Sequence, residues 1–230
     1  IMIQIPTYIK AKNVNNSSNS DYGVIMQVTD VHYDMYYKEG SSATCWLAGK
    51  IGLRCCRDYD IPIKPYRKAG KWGDFNCDSP LTLVEYIFNW LSTNKKSLFP
   101  YEIDYIFWTG DTPGHHDETQ TFDHNMEVIK TVTQILQHNF PNSTILPNIG
   151  NHDSWPIDQL MAPSKDHPDL PNAKYMYSLW DKWIPKNMYH NFVHGGYYRI
   201  NMTENINMLV LNCLFQDSNN LLDKEIGRAH

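Results

Sequence analysis

An α/β fold built on a parallel or mixed sheet is what the sequence predicts, on three observations. Residues 24–29, 105–109 and 144–149 are apolar runs of strand length. The first two runs are each followed, before the next, by an amphipathic helical segment, and strand-helix-strand alternation implies parallel pairing. Each run also ends in polar, ligand-type residues: Asp30-Val31-His32, Gly110-Asp111 and Gly150-Asn151-His152-Asp153. Parallel strands discharge such residues at one carboxyl edge, where α/β proteins place their sites.

Residues 1–22 read as a flexible polar lead-in because they lack periodicity and carry an Asn/Ser tract at 13–20. Residues 23–230 then form one domain, with folding starting near Gly23. The stretch 32–78 is long, cysteine-bearing and rich in Gly, Pro and aromatic residues, and a connection of that length needs staples or a function. Ser79-Pro80 opens a helix as N-cap and first-turn proline, and Leu81, Val84, Ile87, Phe88 and Leu91 form its apolar stripe. The strand to Asp111 follows. A second helix runs over 121–138, with Phe122, Met126, Ile129, Val132, Ile135 and Leu136 facing the core and Pro141 ending it. Residues 174–184 are a third helical stretch, and residues 197–200 pair with 206–211 as a hairpin after Gly195-Gly196.

Composition narrows the function. Hydrophobic residues make up 42% and charged residues 20%, which fits a globular chain, and no apolar run reaches the length of a spanning helix. A net charge of -5 with scattered lysines and arginines argues against a nucleic-acid polymer as partner. Asn15-Asn16-Ser17-Ser18, Asn142-Ser143-Thr144 and Asn201-Met202-Thr203 contain N-glycosylation patterns, and no signal peptide is visible. Cys45, Cys55, Cys56 and Cys77 fall within one loop-rich stretch and read as a disulfide framework, hence an oxidising compartment. Adjacent Cys55 and Cys56 are poorly placed to bond each other, which leaves Cys45–Cys55 with Cys56–Cys77 or the crossed pairing. A zinc knot lacks the two-residue cysteine spacing and nearby histidine pair that it needs. Cys213 reads as a buried thiol on the last strand, with a partner beyond residue 230 as the other reading.

Asp30, His32, Asp111 and Asn151 combine hard oxygen donors with imidazole, a set suited to zinc, manganese or iron. Asp111 is the candidate bridge between two cations, since its two oxygens can serve metals ~3.5 to 4 Å apart. His152 is placed to stabilise the transition state or protonate a leaving oxygen, with Asp153 fixing its tautomer; His115 and His116 are candidates for a second donor. His124, His138, His167, His190 and His194 lie in no motif and read as ordinary surface or core residues.

These three strand-end motifs resemble the first motifs of the calcineurin-like metallophosphoesterases. More narrowly, the cysteine pattern through Cys55-Cys56-Arg57, Trp72-Gly73-Asp74-Phe75 with Cys77-Asp78-Ser79-Pro80, and Trp108-Thr109-Gly110-Asp111-Thr112-Pro113 with His115 are similar to the acid sphingomyelinase branch. The likeness runs from about Gly23 to Leu222. It implies a layered β-sandwich flanked by helices, and a secreted or lysosomal di-zinc phosphodiesterase. Asp30 and His32 would sit on one Zn2+, Asp111 would bridge, and Asn151 would bind the other. It makes His152 and His115 partners of the phosphate and leaving group, and implies the pairs Cys45–Cys55 and Cys56–Cys77. The substrate class is a phosphodiester. Cys55-Cys56-Arg57 looks like sphingomyelin-cleaving members that release ceramide and phosphocholine at a membrane surface. Trp155-Pro156 with Asp158-Gln159-Leu160 is similar to sphingomyelinase-like enzymes that cleave nucleotides. No saposin-like domain precedes Gly23, and the family's later Gly-His and Gly-His-x-His motifs are not found. The chain therefore reads as the N-terminal portion of a catalytic domain, expected to bind metal weakly alone; a non-catalytic secreted binding fragment is the reading from a different class.

Overall fold

A computed structural model of the chain describes residues 1–10, 22–47, 50–52, 55–64, 67–98, 102–115 and 120–222. Strand β1 (Met2–Lys10) lies antiparallel to β2 (Tyr22–Thr29). The long connection holds β3 (Cys45–Leu47), β4 (Lys50–Gly52) and β5 (Ile61–Pro62), a small antiparallel sheet in the order β4-β3-β5. Helix α1 (Leu81–Leu98), β6 (Ile103–Trp108), α2 (Phe122–Asn139) and β7 (Thr144–Pro147) follow. After them come α3 (Ala173–Trp180), α4 (Tyr189–Gly195) and the hairpin of β8 (Tyr198–Asn201) with β9 (Asn207–Val210).

The main sheet has the order β1-β2-β6-β7, with β2, β6 and β7 parallel and β1 antiparallel at the edge. This is a mixed α/β sheet flanked by helices. One correction concerns the N-terminus, where residues 2–10 are a strand and not part of a flexible lead-in; the tract 13–20 lies outside the described residues. Both crossovers step in the same direction across the sheet, and right-handed connections then bring α1 and α2 to one face, where they touch.

Residue alternation on β6 assigns its two faces. Ile106 and Trp108 are buried in the main core, and the Trp108 ring meets Trp180 of α3 edge-on at 5.5 Å. Tyr105, one residue out of phase, donates its hydroxyl to the carbonyl of Met202 at the hairpin turn, 2.5 Å away. Helix α1 begins where proline requires: the Val84 N–H reaches the Pro80 carbonyl at 3.2 Å, and Val84, Phe88 and Leu91 enter the core. Thr121 caps α2, its side chain accepting from the His124 N–H. Of the predicted core face of α2, Phe122 is the exception and stays exposed in the first turn.

Both disulfides are formed, Cys45–Cys55 and Cys56–Cys77. Cys213 lies just past β9 and is exposed, which corrects its assignment as a buried strand thiol.

Candidate metal centre

The site begins with three backbone breaks. Asp30, His32 and Asp111 all have positive φ (52°, 41° and 55°), a region costly for residues with a Cβ. The strain is held by an extension of the sheet beyond its strands: Asp30 N–H bonds Gly110 O, His32 N–H bonds Asp111 O and Tyr33 N–H bonds Thr112 O. The loops after β2 and β6 therefore stay paired, with the register slipping by one residue between Asp30 and His32, as they leave the carboxyl edge.

Asp30, His32 and Asp111 bring one donor atom each within 4.8 Å of one another. The His32 Nε2 to Asp30 Oδ1 distance is 3.5 Å, close to the ~3.3 Å edge of a tetrahedron around a cation with bonds of about 2.0 to 2.1 Å. His32 Nδ1 lies 3.0 Å from the Pro113 carbonyl, a contact that needs the proton on Nδ1 and leaves Nε2 free to bind metal. Burial, then the neighbouring His115, holds the His32 pKa below its ordinary value and favours the neutral ring a metal requires. The donor set fits a divalent cation. Asn151 follows the third strand, where its amide nitrogen donates to Asp158 Oδ1 at 2.7 Å, which leaves the side-chain oxygen as the atom that could serve a metal.

Two further imidazoles stand beside this set. His115 stacks on His32 with centroids 4.2 Å apart, and His152 meets both rings edge-on, at 4.3 Å from His115 and 4.8 Å from His32. His116 lies outside the described residues. The main chain of His152 is bound on two sides: its N–H donates to Asp111 Oδ1 at 3.1 Å, and its carbonyl accepts from the side chain of Asn125 at 3.2 Å.

Asp153 has a different position from the one expected of a tautomer clamp on His152. Its Oδ2 accepts from Gly150 N–H at 2.7 Å and Asp111 N–H at 2.9 Å, and its Oδ1 from Thr112 N–H at 3.1 Å. The carboxylate ties two ligand loops together and is spent on the main chain. Complete burial, and then the charge of Asp111, push its carboxyl up to about 7, against the pull of those N–H donors.

The carboxylate that does clamp an imidazole is Asp78. Its Oδ1 lies 2.8 Å from His115 Nδ1, and its Oδ2 accepts the His115 main-chain N–H at 2.6 Å. Burial raises the Asp78 pKa, but the hydrogen bond and charge of His115 more than offset it, and the net direction is down. Gly114 makes this approach possible, since a Cβ there would stand 2.8 Å from Asp78 Oδ2. Neither Asp78 nor Asn125 was marked as functional by the sequence. The position of Asp78 directly after a cysteine of the framework was the available signal for the first, and none was available for the second.

The family model for calcineurin-like phosphoesterases matches residues 23–228. Sphingomyelin phosphodiesterase A of Dictyostelium discoideum is 33% identical over 203 residues, which cover 86% of this chain and 31% of that protein. The human sphingomyelin phosphodiesterase is 28% identical over 194 residues, 83% of this chain and 29% of its own length. The human cyclic GMP-AMP phosphodiesterase SMPDL3A is 29% identical over 191 residues, 82% of this chain and 37% of its own. The chain thus spans about a third of the length of these curated relatives.

Proposed function

The chain belongs to the calcineurin-like phosphoesterase family, and from that membership we propose that the protein containing it is a di-zinc phosphodiesterase that cleaves sphingomyelin to ceramide and phosphocholine. The observation that carries this reading is the convergence of Asp30, His32 and Asp111 with the rings of His115 and His152 at one sheet edge. Asp30 and His32 would hold one cation, Asp111 would bridge, and Asn151 would serve the second. When bound, such cations supply Lewis acidity that lowers the pKa of a water and neutralises phosphate oxygens, and zinc suits this oxygen and imidazole set.

The chain's own residues supply the proton chemistry. With its Nδ1 on Asp78, His115 presents Nε2 as the end that can give a proton to the leaving oxygen. His152, its main chain held by Asp111 and Asn125, is the donor to a phosphate oxygen. The two disulfides support an oxidising compartment, secreted or lysosomal, as part of this reading. Among the described residues no helix is long and apolar enough to cross a membrane.

A nucleotide substrate is the second reading. Trp155, exposed and anchored through its indole N–H to the Gln120 carbonyl at 3.1 Å, follows the metal loop directly and offers a face on which a base can stack. The deciding experiment compares zinc-loaded full-length protein on sphingomyelin vesicles and on cyclic dinucleotides, beside Asp111→Asn. Faster sphingomyelin turnover that disappears in the variant supports the first reading. Faster dinucleotide turnover transfers the site to the second, and zinc-independent turnover of either substrate refutes both.

A further inference from the structure

The long cysteine-bearing connection between β2 and α1 has a purpose that the metal site alone does not explain. Three charged side chains lie buried within it: Asp34 at 1% exposure, Arg57 at 2% and Asp78 at 7%. Arg57 Nε donates to Asp34 Oδ2 at 2.7 Å, and Arg57 Nη2 stands 3.7 Å from Asp78 Oδ2, the oxygen that also accepts the His115 N–H. Burying three charges costs solvation that must be recovered by geometry. Here the geometry ends at an imidazole of the candidate active site.

We propose that Arg57 is a positioning residue for His115, acting through Asp78, with the Cys56–Cys77 disulfide as the clamp on that arrangement. The covalent pattern fits. Cys56 immediately precedes Arg57 and Cys77 immediately precedes Asp78, so the bond joins the two segments one residue from the ion pair. The main chain fixes the rest: Ser79 N–H bonds His32 O at 2.9 Å and Asp34 N–H bonds Ser79 O at 3.0 Å. Asp34 is held in turn by accepting from Tyr36 N–H at 2.8 Å, and the Arg57 N–H donates to Asp60 Oδ2 at 2.8 Å. Arg57 therefore has a fixed base and one guanidinium nitrogen within ion-pair distance of Asp78, 3.7 Å from Oδ2 and outside hydrogen-bond range. Without that nitrogen the Asp78 carboxylate can rotate off the ring, and His115 loses the contact that keeps Nδ1 occupied.

This inference rests on the proposed phosphodiesterase reading, in which His115 is the acid. A water oxygen bonds phosphorus and gives one of its protons to bulk solvent as the bond to the leaving oxygen breaks, and that leaving oxygen takes the Nε2 proton of the His115 imidazolium. The ring ends neutral, keeping its Nδ1 proton in the hydrogen bond to Asp78. A substrate whose leaving group departs without a proton does not need this step. Sphingomyelin, with an alkoxide leaving group, needs it; bis(4-nitrophenyl) phosphate does not.

The test uses zinc-loaded full-length protein and both substrates. Arg57→Met is expected to lower kcat on sphingomyelin by about 100-fold, the lower end of general acid catalysis, with KM unchanged and a much smaller loss on bis(4-nitrophenyl) phosphate. His115→Asn should give the same split. Because Arg57→Met removes the cation that Asp34 faces, the double variant Asp34→Leu/Arg57→Met, which removes both charges, is measured beside it. Equal losses on the two substrates, or none on sphingomyelin, in the folded double variant overturn the role of Arg57. A wild-type protein that cleaves neither substrate overturns the phosphodiesterase reading, and the inference with it.

Discussion

Gly110 and Gly150 meet main chain to main chain: a Cβ on Gly110 would stand 2.3 Å from the Gly150 amide nitrogen and 2.7 Å from Asp153 Oδ2. Gly110 also has φ of +88°, a conformation other residues resist. The two ligand loops thus touch at the one place where neither carries a side chain. Gly110→Ala combines left-handed strain of about 1 to 2 kcal/mol with overpacking of about 1 to 3 kcal/mol. We expect a loss of roughly 2 to 5 kcal/mol in urea unfolding together with loss of zinc uptake by calorimetry. An unchanged midpoint would contradict the contact.

Asp153 predicts a stability effect in place of a proton-transfer effect. Its oxygens gather N–H groups from Gly150, Asp111 and Thr112, and each buried donor left without its acceptor costs about 1 to 3 kcal/mol. Asp153→Asn keeps one acceptor oxygen and turns an NH2 group toward donors. We expect about 3 kcal/mol of destabilisation and weaker metal binding, read by denaturant unfolding of the metal-free protein and by zinc titration. A variant as stable as wild type, with a displaced pH-rate profile, would restore the tautomer-clamp role.

What the sequence made legible follows from locality. The runs ending at Asp30, Asp111 and Asn151 carry strand pattern, break and ligand within a few residues, and the structure brings these ends to one edge because β2, β6 and β7 are adjacent and parallel. The α1 and α2 stripes were legible for the same reason. Strand β1 was not: Pro6 interrupts it, its register slips between Gln4 and Thr7, and its partner is distant in sequence. The small β3–β5 sheet was also missed, since its strands have two or three residues each and depend on the disulfides around them. Asp78 and Asn125 escaped because each acts on a loop that only the tertiary fold brings near. Asp153 was placed in the right loop but given the wrong partner, because adjacency in sequence to His152 does not indicate which way a carboxylate points.

Tyr37 gives a pH prediction away from the metal site. Its hydroxyl donates to the Gly70 carbonyl at 2.6 Å. Burial first, then the charges of Asp74, Glu39 and Asp34, push its pKa up to about 12 from an ordinary 10. The folded protein therefore keeps the phenol protonated where the unfolded chain ionises. The stability this contributes is present below pH 10 and is lost as pH rises from about 10 to about 12. Burial also raises the pKa of Tyr33, Tyr105, Tyr177 and Tyr198, so the test is a difference: in absorbance titration Tyr37→Phe should lose one phenol from the part that ionises near pH 12 and should flatten alkaline unfolding over this window. An unchanged late amplitude in Tyr37→Phe would contradict the assignment.

The two disulfides separate stability from function. Their sequence separations are 10 and 21, and loop-closure entropy depends only on the logarithm of that length, so each is expected to stabilise the fold by roughly 3 kcal/mol. Their neighbours differ. Cys45 lies in β3 and pairs into the small sheet, whereas the other bridge flanks Arg57 and Asp78, and Asp78 holds His115. Paired serine substitutions at Cys45 and Cys55, or at Cys56 and Cys77, should therefore lower the unfolding free energy by similar amounts. Only the second pair should also slow sphingomyelin turnover in protein that remains folded at the assay temperature. Equal turnover in the two variants would mean that the main-chain bonds of Ser79 and Asp34 suffice to hold Asp78, and that the disulfide braces the loop without steering the imidazole.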